Sequence, residues 1–250
     1  EYGLWISFDD GAHWQAFQQN VPVTPITDLK IFRDNIILST MGRGFWIMDD
    51  LPALRQLPAL ARASAPRILP IGKVQRMRSS PGRGVPEYPV TGVKFFYHLD
   101  KKTDAPLSLD ILDGSGKVVR SFTNQSKADD KMPSEPDMAT GFVERGYSEA
   151  LSGKAGLHAF QWDLRHAGAW TKNGSSRRGS PMVAPGNYRL RMQIGDKKLE
   201  ELFVLEIDPR LTEAGITVED LKAQEALALK VRNLTSRANQ LNTAVEKALK

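Results

Sequence analysis

Leu4-Trp5-Ile6-Ser7-Phe8-Asp9-Asp10-Gly11-Ala12-His13-Trp14 is the stretch from which the rest of the chain is read. It returns 41 residues later, altered, as Phe45-Trp46-Ile47-Met48-Asp49-Asp50. In each copy a glycine, Gly3 or Gly44, precedes a large apolar residue, then Trp-Ile, then paired carboxylates. Residues 4–7 read as a strand, 8–13 as a tight turn and 14–17 as the start of the return strand. The turn has a physical logic. Ser7 and Asp9 can bond nearby backbone N–H groups, Gly11 supplies a positive φ, and Trp14 packs back over the hairpin.

Working outward, the segment 26–32 alternates as a strand should, Asp34-Asn35 makes a turn, and 36–40 returns. Gly42-Arg43-Gly44 turns the chain again into a third strand, 45–48, and Leu51 to Arg55 reads as a short helical exit. Internal repetition at about 40 residues, built from short strands, is the period of a β-propeller blade. Residues 1–58 are therefore expected to form the last one and a half blades of a propeller. Three strands where a blade has four imply either ring closure by a strand from a preceding part of the protein or an irregular blade. Glu1 begins inside what reads as a strand, so the expectation is that this is the C-terminal part of something longer.

Ser7-x-Asp9-x-Gly11-x-x-Trp14 closely resembles the Asp-box, the bacterial-neuraminidase repeat (BNR). Gly42-Arg43-Gly44-Phe45-Trp46-Ile47-Met48-Asp49-Asp50-Leu51 resembles the propeller end of the bacterial sortilin-like proteins, often described as BNR-repeat glycosyl hydrolases. The resemblance implies a structural role for Ser7, Asp9, Gly11 and Trp14, on an outer turn away from the central ligand face. It also implies a periplasmic or extracellular bacterial protein whose partners are its own remaining blades and a protein or glycan ligand. No residue here is read as catalytic. Asp9, Asp10, Asp49 and Asp50 are carboxylates, but glycoside hydrolysis needs a spaced pair, and all four are read as structural. Arg43, held between glycines, is the candidate ligand contact in this half because a guanidinium suits a carboxylate.

The second half reads differently. Residues 59–92 carry Pro and Gly punctuation and a basic run of Arg62, Arg67, Lys73, Arg76, Arg78 and Arg83, and are expected to be a linker. Residues 93–210 are expected to form a β-sandwich. Strands are read at 93–99, 107–112, 117–122, 156–163, 188–192 and 201–207, with a long insertion at 124–153 and a loop at 170–182. Gly156-Leu157-His158-Ala159-Phe160-Gln161-Trp162-Asp163, followed by Pro185-Gly186-Asn187-Tyr188-Arg189-Leu190, resembles the immunoglobulin-like module of the flagellar hook-cap protein. Leu157 is out of phase with Phe160 and Trp162. Trp170, beside Lys172, Arg177 and Arg178, is a second candidate contact for a glycan or anion. His158 and His166 lie eight apart with no third ligand at a usual spacing, and are read as surface or edge histidines, not metal ligands.

Residues 211–250 are expected to carry an amphipathic helix capped by Thr217, with Glu219 and Asp220 favourable in its first turn. Leu227, Val231, Leu234, Ala238, Leu241, Val245 and Ala248 follow alternating steps of four and three, which is a heptad seam. A lone helix of this kind is marginal in water. The seam is expected to be covered by a second helix of the same polypeptide or by the protein's own surface, with helix-mediated self-association as the runner-up.

Composition bounds the function. The 250 residues are 41% hydrophobic and 25% charged, with net charge +5 and no cysteine, an ordinary folded protein without disulfides or thiolate chemistry. No apolar run reaches the roughly 20 residues of a membrane span, and neither a cofactor nor nucleic acid is expected. The fold class is mainly β: propeller blades, then an immunoglobulin/fibronectin-like sandwich, then a C-terminal helix. The expected function is non-catalytic ligand binding and assembly by an exported propeller protein. The alternative is the accessory end of a sialidase- or xyloglucanase-like hydrolase with its catalytic carboxylates upstream.

Overall fold

A computed structural model describes residues 3–32, 34–77, 91–124, 150–172, 174–175 and 179–249. The greater part of the 124–153 insertion, and Arg78, Arg83, Arg177 and Arg178, lie outside the described residues. The chain is mainly β with a C-terminal helix, and it divides into two units, Glu1–Ala65 and Pro66–Lys250.

The first unit opens with β1 (Trp5–Ile6) paired antiparallel to β2 (Gln15–Ala16). A separate antiparallel sheet follows in the order β3 (Ile26–Phe32), β4 (Asn35–Thr40), β5 (Phe45–Met48). Its register places Leu29, Ile31, Ile36, Leu38, Trp46 and Met48 on one face. Phe32, Ile37, Phe45 and Ile47 share the other with Asp28, Lys30, Asn35 and Ser39. A sheet with one solvated face alternates apolar and polar residues, whereas one covered on both faces does not. This sheet lies between the two in sequence, with one face chiefly apolar and the other half apolar. Of its apolar side chains Leu38 alone is buried among the described residues, and Phe45 stands 78% exposed.

After Asp49-Asp50 comes α1 (Leu51–Ala61), with Pro52 in its first turn, where no intrahelical donor is lost. It is longer than the short exit read from sequence. It continues through Pro58, and Leu51, Ala53, Leu54 and Leu60 are buried.

The second unit starts inside the stretch expected to be linker. That expectation is corrected: β6 (Arg67–Ile68) and β7 (Val74–Arg76) are working strands. They are too short for periodicity to reveal. β8 (Val93–Leu99), β9 (Leu107–Asp113), β10 (Val118–Thr123) and β11 (Gly156–Trp162) lie where alternation placed them. The 170–182 loop holds a small hairpin, β12 (Trp170–Thr171) with β13 (Gly174–Ser175). β14 (Gly186–Ile194) and β15 (Lys197–Ile207) complete the strands.

Two sheets result, ordered β10-β9-β14-β15-β7 and β11-β8-β6, with β7 parallel to β15. They share one core. Phe122 meets Phe160 edge-on at 4.8 Å, and Trp162 lies 6.2 Å from Tyr188, each pair bridging the two sheets. Val93, Phe95, Tyr97, Leu109, Ile111, Leu190 and Met192 fill the space between, all fully buried. Leu157 falls on the opposite face from Phe160 and Trp162, as its phase required. Gly92 opens β8 at φ +142°, with Trp162 carbonyl oxygen where a Cβ would sit.

Asp208 caps the short α2 (Pro209–Glu213), and its carboxylate accepts from the Arg210 backbone and guanidinium. The last element is α3 (Val218–Ala248). Thr217 is its N-cap, as expected. Thr217 Oγ1 accepts from the Asp220 N–H at 3.2 Å, and Asp220 accepts from the Thr217 N–H at 2.9 Å, a reciprocal capping box.

Candidate functional site

The first expected site is the turn between β1 and β2. Ser7 Oγ accepts from the Gly11 N–H at 2.8 Å and donates to Asp9 Oδ1 at 2.9 Å. Asp9 also accepts from the His13 N–H at 2.8 Å and meets His13 Nδ1 at 2.6 Å. These bonds to His13 and Ser7 hold the Asp9 carboxyl below its ordinary value. Gly11 sits at φ +92°, and the Trp14 indole N–H donates to its carbonyl at 3.0 Å. Each quoted residue is spent on folding the turn. Both Asp9 oxygens are engaged locally, by Ser7 and His13.

Arg43 lies on the exposed Gly42–Gly44 turn, where its carbonyl accepts from the Trp46 indole at 3.1 Å. Trp46 therefore closes its turn as Trp14 does, by an indole bond to the carbonyl three residues back. The sequence echo instead aligns Trp46 with Trp5, which is 59% exposed on β1.

Trp170 is half-buried on β12, and its backbone is clamped from both sides. Its N–H donates to Ser236 Oγ at 2.9 Å, and its carbonyl accepts from Asn239 at 2.8 Å. It belongs to a polar seat that fixes α3 on the second unit. Within that seat Arg232 donates to the Ala167 carbonyl at 3.1 Å, and the buried Arg76 donates to the Val183 carbonyl and to Gln224. Glu225 uses one oxygen on His166 and the other on the Ala184 N–H at 2.8 Å. His166 is 8% exposed, so its reading as a surface or edge histidine is corrected: it is a buried rivet between the β-layers and the helix. His158 Nε2 meets the Lys154 carbonyl at 2.6 Å, and its ring lies 5.1 Å from that of Tyr97.

Beside this seat lies an open groove of about 790 Å³ whose lining includes Asp113, Asn187, Tyr188, Glu206, Lys222 and Glu225. Tyr188 donates to the Ala184 carbonyl at 2.6 Å, and burial, then the charges of Glu225 and Asp113, push its hydroxyl upward from the ordinary phenol value. Tyr97, pushed up to about 12 by burial, exchanges hydrogen bonds with the backbone of Ser152. These phenols stay neutral and act as structural donors. Glu225, with both oxygens occupied, is a positioning group and not a general base. Among the described residues no group of three His, Asp or Glu side chains could hold a metal ion.

Sequence reasoning missed this seat, although a signal was present. Glu225, Arg232, Ser236, Asn239 and Thr243 recur at helical spacing on the face of α3 opposite the leucine seam. A polar stripe reads as solvated unless something marks it as docked. No protein-family model matches the chain, and no curated protein matches it.

Proposed function

We propose that this chain is the C-terminal region of an exported bacterial Asp-box propeller protein that binds a peptide or glycan and assembles, and does not itself catalyse a reaction. Residues 1–58 then supply one and a half blades of the ring, and the two facing sheets of the second unit are an immunoglobulin-like module. The observation that carries this is the sheet of β3, β4 and β5, which is chiefly apolar on one face and half apolar on the other, with Leu29, Ile31, Phe32, Phe45 and Ile47 exposed. A blade is covered by a neighbour on each side, and that is the environment such a strand composition suits.

Two further features support the reading. The Ser7–Asp9–Gly11–Trp14 turn is folded by its own side chains, as an outer turn away from a ligand face should be. In the second unit the Tyr188 hydroxyl bonds back to the backbone four residues upstream at the start of its strand, close to the tyrosine corner of immunoglobulin-like folds. Arg43, on its exposed turn, remains the candidate ligand contact of the blade.

The test is a binding and turnover screen of the parent protein against a glycan array, a peptide library, aryl-glycosides and xyloglucan. Saturable binding without turnover, weakened by Arg43→Gln, is the expected result. Turnover of any glycan would return the hydrolase reading.

A further inference from the structure

α3 is held on the second unit by the wrong face for an ordinary amphipathic helix. Its docked side carries Glu225, Arg232, Ser236 and Asn239, each bonded to the β-layers or to the segment between them. Its apolar seam points the other way. Leu227, Val231, Leu234, Leu241 and Val245 are each 56–68% exposed. Among the described residues of the second unit none covers this seam.

The seam specifies its partner by residue type. In heptad terms Val231, Ala238 and Val245 fall at a, and Leu227, Leu234, Leu241 and Ala248 at d. Among parallel coiled coils, valine at a with leucine at d favours two strands. Charge decides orientation. The g positions hold Lys230 and Arg237, and the e positions hold Ala228, Thr235 and Asn242. In a parallel pair Lys230 lies across from Thr235 and Arg237 from Asn242, with no like-charge contact. An antiparallel pair of identical helices would set Lys230 and Arg237 against each other, which is unfavourable.

We propose that α3 pairs with α3 of a second copy as a parallel, in-register, two-stranded coiled coil. This names the partner in the assembly role put forward above, and rests on that part of the reading alone. The docked polar face lies opposite the seam, so a two-fold axis along the seam leaves each copy's β-layers on the outside. The capping box and the polar seat have already ordered the helix, so pairing does not bear the cost of folding it.

The experiment is sedimentation equilibrium of the 250-residue chain over about 1 to 100 µM, a range that brackets moderate affinities. A reversible monomer–dimer equilibrium is expected. Leu234→Glu with Leu241→Glu should weaken it about a hundredfold or more, since two apolar d-layers are lost, while helical ellipticity holds because both side chains stand in solvent in the single chain. Orientation is read by Val231→Cys in a chain without native cysteine. An in-register pair brings the two sulfurs together, so oxidation should cross-link this variant faster than Gln240→Cys, away from the seam. A chain that stays monomeric throughout, and so leaves the seam to some other helix, overturns the proposal. So does a dimer that survives the double substitution, or one in which Val231→Cys cross-links no faster than the control. None of these outcomes touches the blade reading, which stands or falls on ligand binding by the parent protein.

Discussion

Two sheets of similar strand length meet opposite fates in this chain. In β8 the alternate residues Val93, Phe95, Tyr97 and Leu99 are 0–2% exposed, because β9, β11 and β14 supply facing side chains. In β3 the apolar residues Leu29, Ile31 and Phe32 are 48–53% exposed. The difference is not one of hydrophobicity. The core face of β8 finds its complement within its own unit, whereas β3 to β5 leave apolar side chains exposed on both faces, Leu29 and Ile31 on one and Phe32, Phe45 and Ile47 on the other. Burial on both faces needs a layered neighbour on each side. The lesson is that the second unit is specified by its own sequence, and the first is specified for company.

The sharpest way to break that contrast is to remove an aromatic from each half. Trp162 is 1% exposed, faces Tyr188 across the core, and donates its indole N–H to the Arg165 carbonyl at 3.0 Å. Trp162→Ala should cost about 3–5 kcal/mol through lost transfer energy and the cavity left behind, read as a drop in the urea midpoint of the second unit. Phe45 on β5 is 78% exposed, and Phe45→Ala in this chain should cost under about 1 kcal/mol. Equal costs at the two positions would mean that β5 is already covered.

Glycines give a second, smaller contrast. At Gly92 a Cβ would lie 2.1 Å from the Trp162 carbonyl oxygen, backbone that cannot swing aside. Gly92→Ala should therefore separate β8 from β11 and cost about 2–3 kcal/mol or more, as overpacking added to a positive φ. At Gly44, φ is +75° and nothing lies within 4 Å of the new methyl group. Gly44→Ala carries only the left-handed penalty of about 1–2 kcal/mol. Thermal melts of both variants check the ranking, and reversal would misplace the close approach of the two strands.

The parts of the fold legible in the sequence were those with a period. β3, β4, β5, β8, β9, β11 and α3 follow alternation or heptads over four residues or more, and their bounds fall within a residue or two of expectation. β6, β7, β12 and β13 are two or three residues long, too short for a local pattern to announce them, and β6 and β7 are made by pairing with distant chain. The 59–92 stretch reads as a spacer for that reason, although Pro66 and Pro70 bracket β6, which pairs with β8. The polar seat was hidden by a different cause. Glu225 and His166 are 59 residues apart, and an acid on a helix looks solvated until the imidazole is placed beside it. The Ser7–Trp14 turn was legible because all its bonds span four residues or fewer.

The smallest expected effect tests whether the local motifs of the two halves behave alike even though their sheets do not. Asp9 in the turn and Asp220 in the cap of α3 are both held below the ordinary carboxyl value near 3.8, the first by its bonds to His13 and Ser7, the second by those to Thr217. A lowered folded-state pKa means that the stabilisation is complete above the unfolded value and is lost as pH falls through the folded one. Both carboxylates are exposed, so the loss is modest and screened by salt. The difference in helical ellipticity between the native chain and Asp220→Asn should be constant from about pH 7 to 5, then close as pH drops below about 3.8. Asp9→Asn should leave that ellipticity unchanged and alter only the exchange rates of the Gly11 and His13 amides, over the same acid window. If the Asp220 difference persisted unchanged to pH 2, the cap would owe nothing to its charge.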